Sequence, residues 1–346
     1  MNTENKNIFS LERYYTLAHE TGAQVFTIGH SHEQRPILVL KKGNAAPRVL
    51  LIARLHGNEP APTQAVLDFF KAYSDENLEV YGIFLANPDG AARYEQNWLK
   101  HPEPDWKNNF EKARLNAKGI DLNRDWLNLT QPETQAIHKF IRTIHPGFVL
   151  DLHEYYWKDG YPPKVPTADE DGFMATMTDC PFFGVHEHVA LICRELMEEI
   201  SPPLESEFNW KIKLRHFIGE KRNTYSTPSY LGIYLALSGI PKLLVETWGV
   251  GCSTLLLKER MAFHTRAIRL TIDGISQRLP FFQKINQMNA MIERSFPVAE
   301  EPKAKRFTAL LKKHGIHFTV HGMSIRVKVL KLQMGFVEAI FNEINN

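Results

Sequence analysis

The feature that most constrains the fold is an apolar run that lacks the alternation of a half-exposed strand. Positions 49–53 hold five consecutive apolar residues, Val-Leu-Leu-Ile-Ala. Such a run is typical of a strand covered on both faces, and sheets of that kind carry helices on both sides. The sequence therefore predicts a three-layer α/β/α fold with a mostly parallel, mixed sheet. The predicted central strands span 48–55, 78–86, 148–152 and 242–245, and the predicted helices between them include 61–73 and 132–144.

Other stretches of the sequence also carry local signals. Short strands are predicted at 24–29 and 36–41, with a turn between them. The sequence NPDG at 87–90 predicts a second turn, because its Pro, Asp and Gly suit tight backbone geometry. Residues 157–184 are rich in Pro, Gly, Asp and Thr and are predicted to form one long loop. Long loops in compact domains usually form a functional rim or lid.

The C-terminal part of the chain follows a different pattern. A helix-like segment and a polar stretch lie within 280–305. Residues 306–346 then have the pattern of a helix, a strand, a turn, a strand and a helix. We therefore predict a catalytic domain at 1–280 and a small C-terminal α+β appendage of unknown role at 281–346.

Composition excludes several classes of protein. The formal charge is only +2, from 41 basic and 39 acidic residues, so neither a nucleic-acid nor a membrane partner is expected. The sequence contains no stretch of 18 apolar residues and no secretion signal at its start, which predicts a cytoplasmic protein without a transmembrane segment. The three cysteines are odd in number and far apart, so we expect free thiols.

Polar residues suited to metal binding gather where the predicted strands end. His56 and Glu59 follow the first central strand, and His153 and Glu246 follow two others. In open α/β sheets, sites form beyond the carboxyl ends of the strands, so these four side chains are expected to converge. Two imidazoles and a carboxylate are a common catalytic zinc set, which leaves one position for water and Glu246 free to accept a proton. Each residue alone is weak evidence, and the conjunction carries the prediction.

The order of several motifs resembles that of a known family. Residues 48–250 are similar to the M14 family of zinc carboxypeptidases, especially its compact bacterial and cytosolic members. The pattern R-x-N-A-x-G-x-D-L-N-R is the most specific part of the resemblance. The motifs are HGNE at 56–59, NPDG at 87–90, RLNAKGIDLNRDW at 114–126, PET at 132–134, LDLHEY at 151–156 and LLVET at 243–247.

The resemblance implies a role for each residue around the metal. His56, Glu59 and His153 would ligate one Zn²⁺ per chain. Glu246 would be the general base and later the proton donor to the leaving amine. Asp121 would accept a hydrogen bond from the outer nitrogen of His56 and so fix its tautomer.

The resemblance also implies the residues that bind the substrate. Asn123 and Arg124 would hold its terminal carboxylate, since the planar guanidinium matches a carboxylate with two hydrogen bonds. Arg114 would polarise the scissile carbonyl and stabilise the oxyanion that develops. Tyr225 is assigned as the mobile tyrosine of the family. Asp125 departs from the Asn that often follows this Arg in the family: it could weaken the grip of Arg124 on an anion, or it could point away.

We therefore predict hydrolysis of a peptide or amide bond next to a free C-terminal carboxylate, with a peptide or an amide-linked amino acid as substrate. One alternative is an N-acyl amino acid deacylase of the succinylglutamate desuccinylase and aspartoacylase group, which shares HGNE and DLH. NPDG and the R-x-N-A-x-G spacing argue against it. A second alternative is a binding protein that has kept the fold and lost turnover. The complete ligand set, with Glu246 and Arg114, argues against that alternative.

Overall fold

The computed structural model describes residues 7–74, 77–101, 113–155, 173–180, 183–215, 227–288 and 290–345. The strands of the larger sheet are β1 (Gln24–His30), β2 (Pro36–Lys42), β3 (Arg48–Ala53), β4 (Glu79–Ile83), β5 (Phe148–Tyr155), β6 (Phe173–Thr178), β7 (Lys211–Arg215) and β8 (Lys242–Trp248). A smaller sheet contains β9 (Met291–Pro297), β10 (His317–His321) and β11 (Ser324–Leu330). The α-helices are α1 (Leu11–Glu20), α2 (Ala61–Ala72), α3 (Pro88–Lys100), α4 (Pro132–Ile144), α5 (Glu187–Phe208), α6 (Leu231–Leu237), α7 (Leu257–Ser276), α8 (Leu279–Met288), α9 (Glu301–Lys313) and α10 (Met334–Asn345). Short 3-10 helices span Leu122–Arg124 and Lys331–Gln333.

The larger sheet is mixed, with a parallel centre. Its strand order is β1-β2-β4-β3-β5-β8-β6-β7. Strands β4, β3, β5 and β8 are parallel to one another. Strands β1 and β2 add an antiparallel edge, and β6 runs antiparallel to β8 and parallel to β7. The predicted mixed, mostly parallel sheet is confirmed, and the carboxyl ends of β3, β5 and β8 meet at one edge.

Strand β3 shows why the sheet is covered on both faces. Val49 and Leu51 belong to an apolar cluster that includes side chains of α1, α2, α5 and α7. Leu50 and Ile52 point to the other face and pack in a cluster with α4 and α6. All four side chains are completely buried, and each contributes about 1.5–3 kcal/mol of transfer free energy. The continuous apolar run therefore follows from the three-layer architecture.

The segment at 87–90 begins a helix, so the prediction of a turn there was wrong. Asn87 is the N-cap of α3, and its side-chain oxygen accepts a hydrogen bond from Gly90 N at 2.9 Å. Pro88 occupies the first helical position, where its missing N–H costs no helical hydrogen bond. The residues that suit a tight turn also suit a helix start.

Strands β5 and β8 extend further than predicted. Strand β5 runs to Tyr155 and β8 to Trp248, so His153 and Glu246 lie inside these strands rather than after them. The backbone pairing continues through both residues, because His153 and Glu246 are direct partners in the parallel register. The predicted long loop also contains strand β6, so that prediction was wrong at 173–178. Residues 157–172 of that loop lie outside the described residues.

The C-terminal pattern was predicted correctly, apart from one missed strand. Helix α9, strands β10 and β11, and helix α10 follow in the predicted order, while β9 was not predicted. The apolar face of the small sheet, including Phe296 and Val327, shares a cluster with Ile137 of α4. The division of the chain at residue 280 stays a prediction.

Two further expectations concern the chain as a whole. None of the described helices is both long and apolar enough to span a bilayer. Cys180, Cys193 and Cys252 are buried free thiols, as expected.

Candidate active site

Two imidazoles and one carboxylate meet at the carboxyl edge of the sheet. His56 and Glu59 come from the loop between β3 and α2, and His153 comes from β5. The Nδ1 atoms of the two histidines are 3.2 Å apart. Glu59 Oε1 lies 2.6 Å from His56 Nδ1, and its Oε2 lies 2.8 Å from His153 Nδ1. The three side chains could hold a metal ion, since one donor atom from each lies within 4.8 Å of the others.

The electrostatics of this group favour a cation between the three side chains. Burial alone would raise the pKa of the Glu59 carboxyl, but His56 and His153 hold it well below its usual range. Burial would likewise lower the pKa of His153, whereas Asp151 and Glu59 raise it well above the usual value. The donors are almost fully enclosed, with exposures of 3% for His56, 1% for Glu59 and 2% for His153. A divalent cation at this point would take over the role of the protonated imidazoles, so the donor set fits zinc.

A carboxylate lies on the outer side of each imidazole. His56 Nε2 lies 3.1 Å from Asp121 Oδ1, which agrees with the predicted contact. His153 Nε2 lies 3.0 Å from Asp151 Oδ1, a contact that was not predicted. Burial would raise the pKa of the Asp121 carboxyl, but His56 and Arg114 hold it well below its usual range. Each imidazole therefore has its outer nitrogen beside a carboxylate and its Nδ1 free to bind a metal.

Two guanidinium groups lie beside this cluster. Arg114 donates to Asp121 Oδ2 from Nε at 3.1 Å and from Nη2 at 3.0 Å, and its Nη1 lies 3.8 Å from Glu59 Oε1. Arg124 Nη1 lies 3.9 Å from Asp121 Oδ2, so both arginines approach the same carboxylate. The Arg124 guanidinium also stacks over the ring of Tyr230, 3.9 Å from its centroid. The arrangement gives the rim of the cluster a positive charge that suits an anionic substrate.

Asn123 lies next to Arg124 in the 3-10 helix Leu122–Arg124. Its backbone N–H donates to Asp121 Oδ1 at 2.8 Å. Its side-chain oxygen accepts a hydrogen bond from Leu231 N at 2.9 Å, which ties the 3-10 helix to the start of α6. This bond orients the amide, because the oxygen is committed to the backbone of α6.

Glu246 lies on the same face of the sheet as His153. The two residues are register partners on adjacent strands, and paired residues project to the same side. Thr176 of β6 is the register partner of Glu246 on its other side, and its hydroxyl donates to Glu246 Oε2 at 3.1 Å. Glu246 is half-buried. Its side chain therefore projects from the same face of the sheet as His153 and remains partly accessible to water.

Eight of the nine predicted site residues lie in this region: His56, Glu59, Arg114, Asp121, Asn123, Arg124, His153 and Glu246. Tyr225, the remaining one, lies outside the described residues. Tyr234, a nearby tyrosine, is buried among apolar side chains rather than exposed at the site.

Asp125 points away from the anion-binding rim. It is 4% exposed and accepts hydrogen bonds from Thr130 N at 2.8 Å and Gln131 N at 2.8 Å. The hydroxyls of Thr130 and Thr134 also donate to it. Its carboxylate therefore organises the backbone that leads into α4. Of the two alternatives for this departure from the family pattern, these contacts agree with the one in which Asp125 points away from Arg124.

A buried ion pair behind the metal cluster was missed by the sequence analysis. Glu154 follows His153, and its Oε1 pairs with Arg260 Nη1, with both side chains completely buried. Glu154 Oε2 accepts a hydrogen bond from Ala61 N at 3.0 Å, two residues after Glu59. Arg260 also donates to Ser253 O at 2.8 Å. The pair joins β5, the start of α2 and the loop after β8. The sequence signal that could have predicted it was the charged Glu154 next to His153 in an apolar strand, because a buried charge needs a partner.

Comparisons with known proteins show which family the chain resembles. The Zinc carboxypeptidase family profile, Peptidase_M14, matches residues 13–175. The chain is 28% identical to the uncharacterized protein YqgT of Bacillus subtilis (strain 168), over 38% of this chain and 49% of that protein. It is 26% identical to carboxypeptidase Z of Mus musculus, over 39% of this chain and 22% of that protein. The match thus spans about half or less of these relatives.

A solved structure shows the same fold. The metallo-carboxypeptidase from Burkholderia cenocepacia superposes with a TM-score of 0.53 at 18% identity, which covers 77% of this chain and 70% of that one. A metallo-carboxypeptidase from Pseudomonas aeruginosa, in complex with (2-guanidinoethylmercapto)succinic acid, gives a TM-score of 0.53 at 16% identity and covers 79% and 70%. At 16–18% identity, the similarity to these two structures shows a shared fold and not a shared activity.

Proposed function

The chain belongs, through residues 13–175, to the zinc carboxypeptidase family M14, and from this premise we propose that it hydrolyses a peptide or amide bond next to a free C-terminal carboxylate. Membership of the family supports a hydrolase of the peptidase or amidase type, with zinc as its metal. The observation that carries the proposal is the arrangement of Arg114, Arg124 and Glu246 around the buried group of His56, Glu59 and His153.

The metal would be held by His56 Nδ1, His153 Nδ1 and the Glu59 carboxylate. When bound, zinc polarises a carbonyl and makes a nearby water more acidic. Asp121 keeps the Nδ1 atom of His56 directed inward, through its contact with the outer nitrogen. The net charge of this donor set is negative when the histidines are neutral, which favours a divalent cation.

The proton is moved by Glu246 in this proposal. Its carboxylate takes the proton from the attacking water and then delivers it to the leaving amine. Its place opposite His153 in the register puts it on the correct face of the sheet for this transfer. Arg114 stabilises the negative charge that develops on the carbonyl oxygen, since its guanidinium lies 3.8 Å from the Glu59 carboxylate.

The substrate carboxylate is bound by Arg124 together with the amide nitrogen of Asn123. Stacking on Tyr230 holds the guanidinium plane in place, which lowers the entropy lost when a carboxylate binds. Arg124 keeps 43% of its side chain exposed, so a substrate can reach it. The terminal carboxylate would then set the position of the scissile bond relative to Glu246.

A substrate panel tests the proposal. The purified zinc-loaded protein is incubated with dipeptides and longer peptides that end in a free carboxylate, with their C-terminal amides, and with N-acyl amino acids. We expect release of the C-terminal amino acid from free-acid peptides, with the amides hydrolysed at least tenfold more slowly. Hydrolysis of N-acyl amino acids alone would instead identify a deacylase. Stoichiometric zinc without hydrolysis of any substrate would favour a binding protein.

A further inference from the structure

Thr176 is a buried hydroxyl next to the carboxylate that the proposed reaction needs. It lies in the middle of β6 and is completely buried. Its Oγ1 donates to Glu246 Oε2 at 3.1 Å. An ionised carboxylate can only accept hydrogen bonds, so the hydroxyl must be the donor.

The backbone of Thr176 holds this hydroxyl rigidly. Strand β6 pairs with β8 on one side and with β7 on the other, so Thr176 has Glu246 and Lys213 as its register partners. The β-branched side chain of threonine has few accessible rotamers. The donor is therefore already fixed in place before a substrate binds, and little conformational entropy opposes the hydrogen bond.

The hydrogen bond also distinguishes the two oxygens of Glu246. Oε2 is engaged by Thr176, and a carboxylate oxygen that accepts a hydrogen bond from a fixed donor has a fixed direction in space. Rotation of the carboxylate about the Cγ–Cδ bond would break this contact, so the contact also restricts the direction of the other oxygen, Oε1. Proton transfer needs a heavy-atom separation of about 2.6–3.2 Å, so the direction of this oxygen decides whether the transfer can occur.

We propose that Thr176 is a positioning residue for Glu246, and that its hydroxyl holds Oε2 so that Oε1 exchanges the proton. This inference rests on the proposed function, in which Glu246 is the general base. Thr176 touches neither the substrate nor the metal ligands in this role. It acts only through Glu246.

The test uses three threonine variants of the full chain. Thr176→Val removes the hydroxyl and keeps the shape and strand propensity of the side chain, and Thr176→Ser restores the hydroxyl. Thr178→Val is the matched control, because Thr178 is also buried, lies two residues along β6 and is the partner of Leu244 in the register. Each variant is assayed with the best free-acid peptide of the substrate panel, and its zinc content and melting temperature are measured.

We expect Thr176→Val to lower kcat about tenfold or more, because the carboxylate of Glu246 then loses the fixed donor that orients it for proton transfer. KM, zinc content and melting temperature should stay close to those of the wild type. Thr176→Ser should recover most of the lost kcat, and Thr178→Val should keep the wild-type kcat. Adding Thr176→Val to Glu246→Gln should cause no further loss.

Several outcomes would overturn the inference. A wild-type kcat in Thr176→Val, beside an inactive Glu246→Gln, would remove the positioning role and leave the proposed base in place. A loss that Thr176→Ser does not reverse, or that appears in KM or the melting temperature, would indicate a packing role. An active Glu246→Gln, or a wild-type protein that hydrolyses none of the peptides, would overturn the proposed function and this role with it.

Discussion

His314 Nδ1 lies 3.2 Å from His138 Nε2, across the junction between α9 and α4. His314 Nε2 lies 2.9 Å from Leu127 O and must carry its proton there, so its Nδ1 accepts from His138. Both rings are buried, with exposures of 4% each. The hydrogen-bond chain therefore requires a neutral His314 and a proton on the Nε2 atom of His138.

This histidine pair lowers the stability of the folded state at acid pH. Burial, with the neighbouring His314 and Arg142, lowers the pKa of His138 to about 3. Burial also lowers the pKa of His314 to about 4, against the effect of its bond to Leu127. Unfolded histidine titrates near 6.5, so below that pH the unfolded chain binds more protons than the folded chain. The free energy of unfolding must then fall as the pH drops from about 6.5 towards 4.

We predict that His138→Gln, which can still donate to His314, reduces this acid sensitivity. The free energy of unfolding should fall between pH 7.5 and pH 4.5 by about 1–2 kcal/mol less than in the wild type. Urea unfolding at several pH values measures the difference. His321→Gln, at an exposed position of the small sheet, should keep the wild-type slope. An unchanged slope in His138→Gln would show that the pKa of His138 does not differ between the folded and the unfolded state.

The zinc site gives a second prediction. The wild-type protein should bind about one zinc per chain. His56→Ala and His153→Ala should each lose most of it, because each removes one of three protein donors. Metal analysis after dialysis measures the loss, and circular dichroism checks that the fold remains. His321→Ala should keep its zinc, and full zinc content in both active-site variants would exclude these ligands.

Arg124 gives a third prediction, which concerns the substrate carboxylate. Arg124→Ala should reduce kcat/KM for free-acid peptides by roughly 10–100-fold, since a charged hydrogen-bonded contact is worth about 1.5–3 kcal/mol. The C-terminal amides, which lack the charge, should lose much less. Arg326→Ala, on an exposed part of β11, is the control and should keep the wild-type kcat/KM for both kinds of substrate. Equal losses on acids and amides would mean that Arg124 does not bind the terminus.

Glu246→Gln should keep zinc bound and lose turnover. Glutamine has the size of glutamate and can still accept from Thr176, but it cannot take a proton from water at neutral pH. General acid–base catalysis contributes about 10²–10⁴-fold, and the loss should fall in kcat rather than in substrate affinity. Steady-state kinetics, metal analysis and urea unfolding distinguish a general base from a metal ligand and from a structural carboxylate. Reduced zinc would identify a metal ligand, and reduced stability would identify a structural carboxylate.

The ion pair of Glu154 and Arg260 should be important for stability. Glu154→Gln leaves the Arg260 cation buried without a counter-charge, and breaking such a pair costs about 3–5 kcal/mol. The exposed pair of Arg266 and Glu207 is the matched comparison, and Glu207→Gln should cost no more than about 1 kcal/mol. Urea unfolding measures both changes. If both variants lose a similarly small free energy of unfolding, then solvent or a local rearrangement compensates the buried charge of Arg260.

The layered fold could be predicted because its signals are local in the sequence. The apolar run at 49–53 requires cover on both faces, and helix α4 begins and ends at the predicted residues. The ends of β5 and β8 were predicted too early, because polar residues such as His153 and Glu246 look like the end of a strand. These residues stay in the sheet because backbone pairing does not depend on their side chains.

The contacts across the site could not be predicted in the same way. Thr176 meets Glu246 only because β6 inserts between β8 and β7, and β6 was not recognised after a stretch rich in Pro and Gly. The sequence left open whether Asp125 would weaken anion binding by Arg124 or point away from it. Its hydrogen bonds with Thr130 and Thr134, which turn it away, could not be predicted from the sequence. The stacking of Tyr230 on Arg124 depends on a loop conformation that has no sequence pattern.

The cluster that joins the small sheet to α4 has a consequence for synthesis on the ribosome. Ile137 of α4 emerges long before Phe296 and Val327, which later share its apolar cluster. Until the last strands and α10 have left the exit tunnel, that side of α4 remains open to water and to other nascent chains. The nascent protein can therefore associate wrongly through this apolar surface in the interval before residues 291–345 have been synthesised.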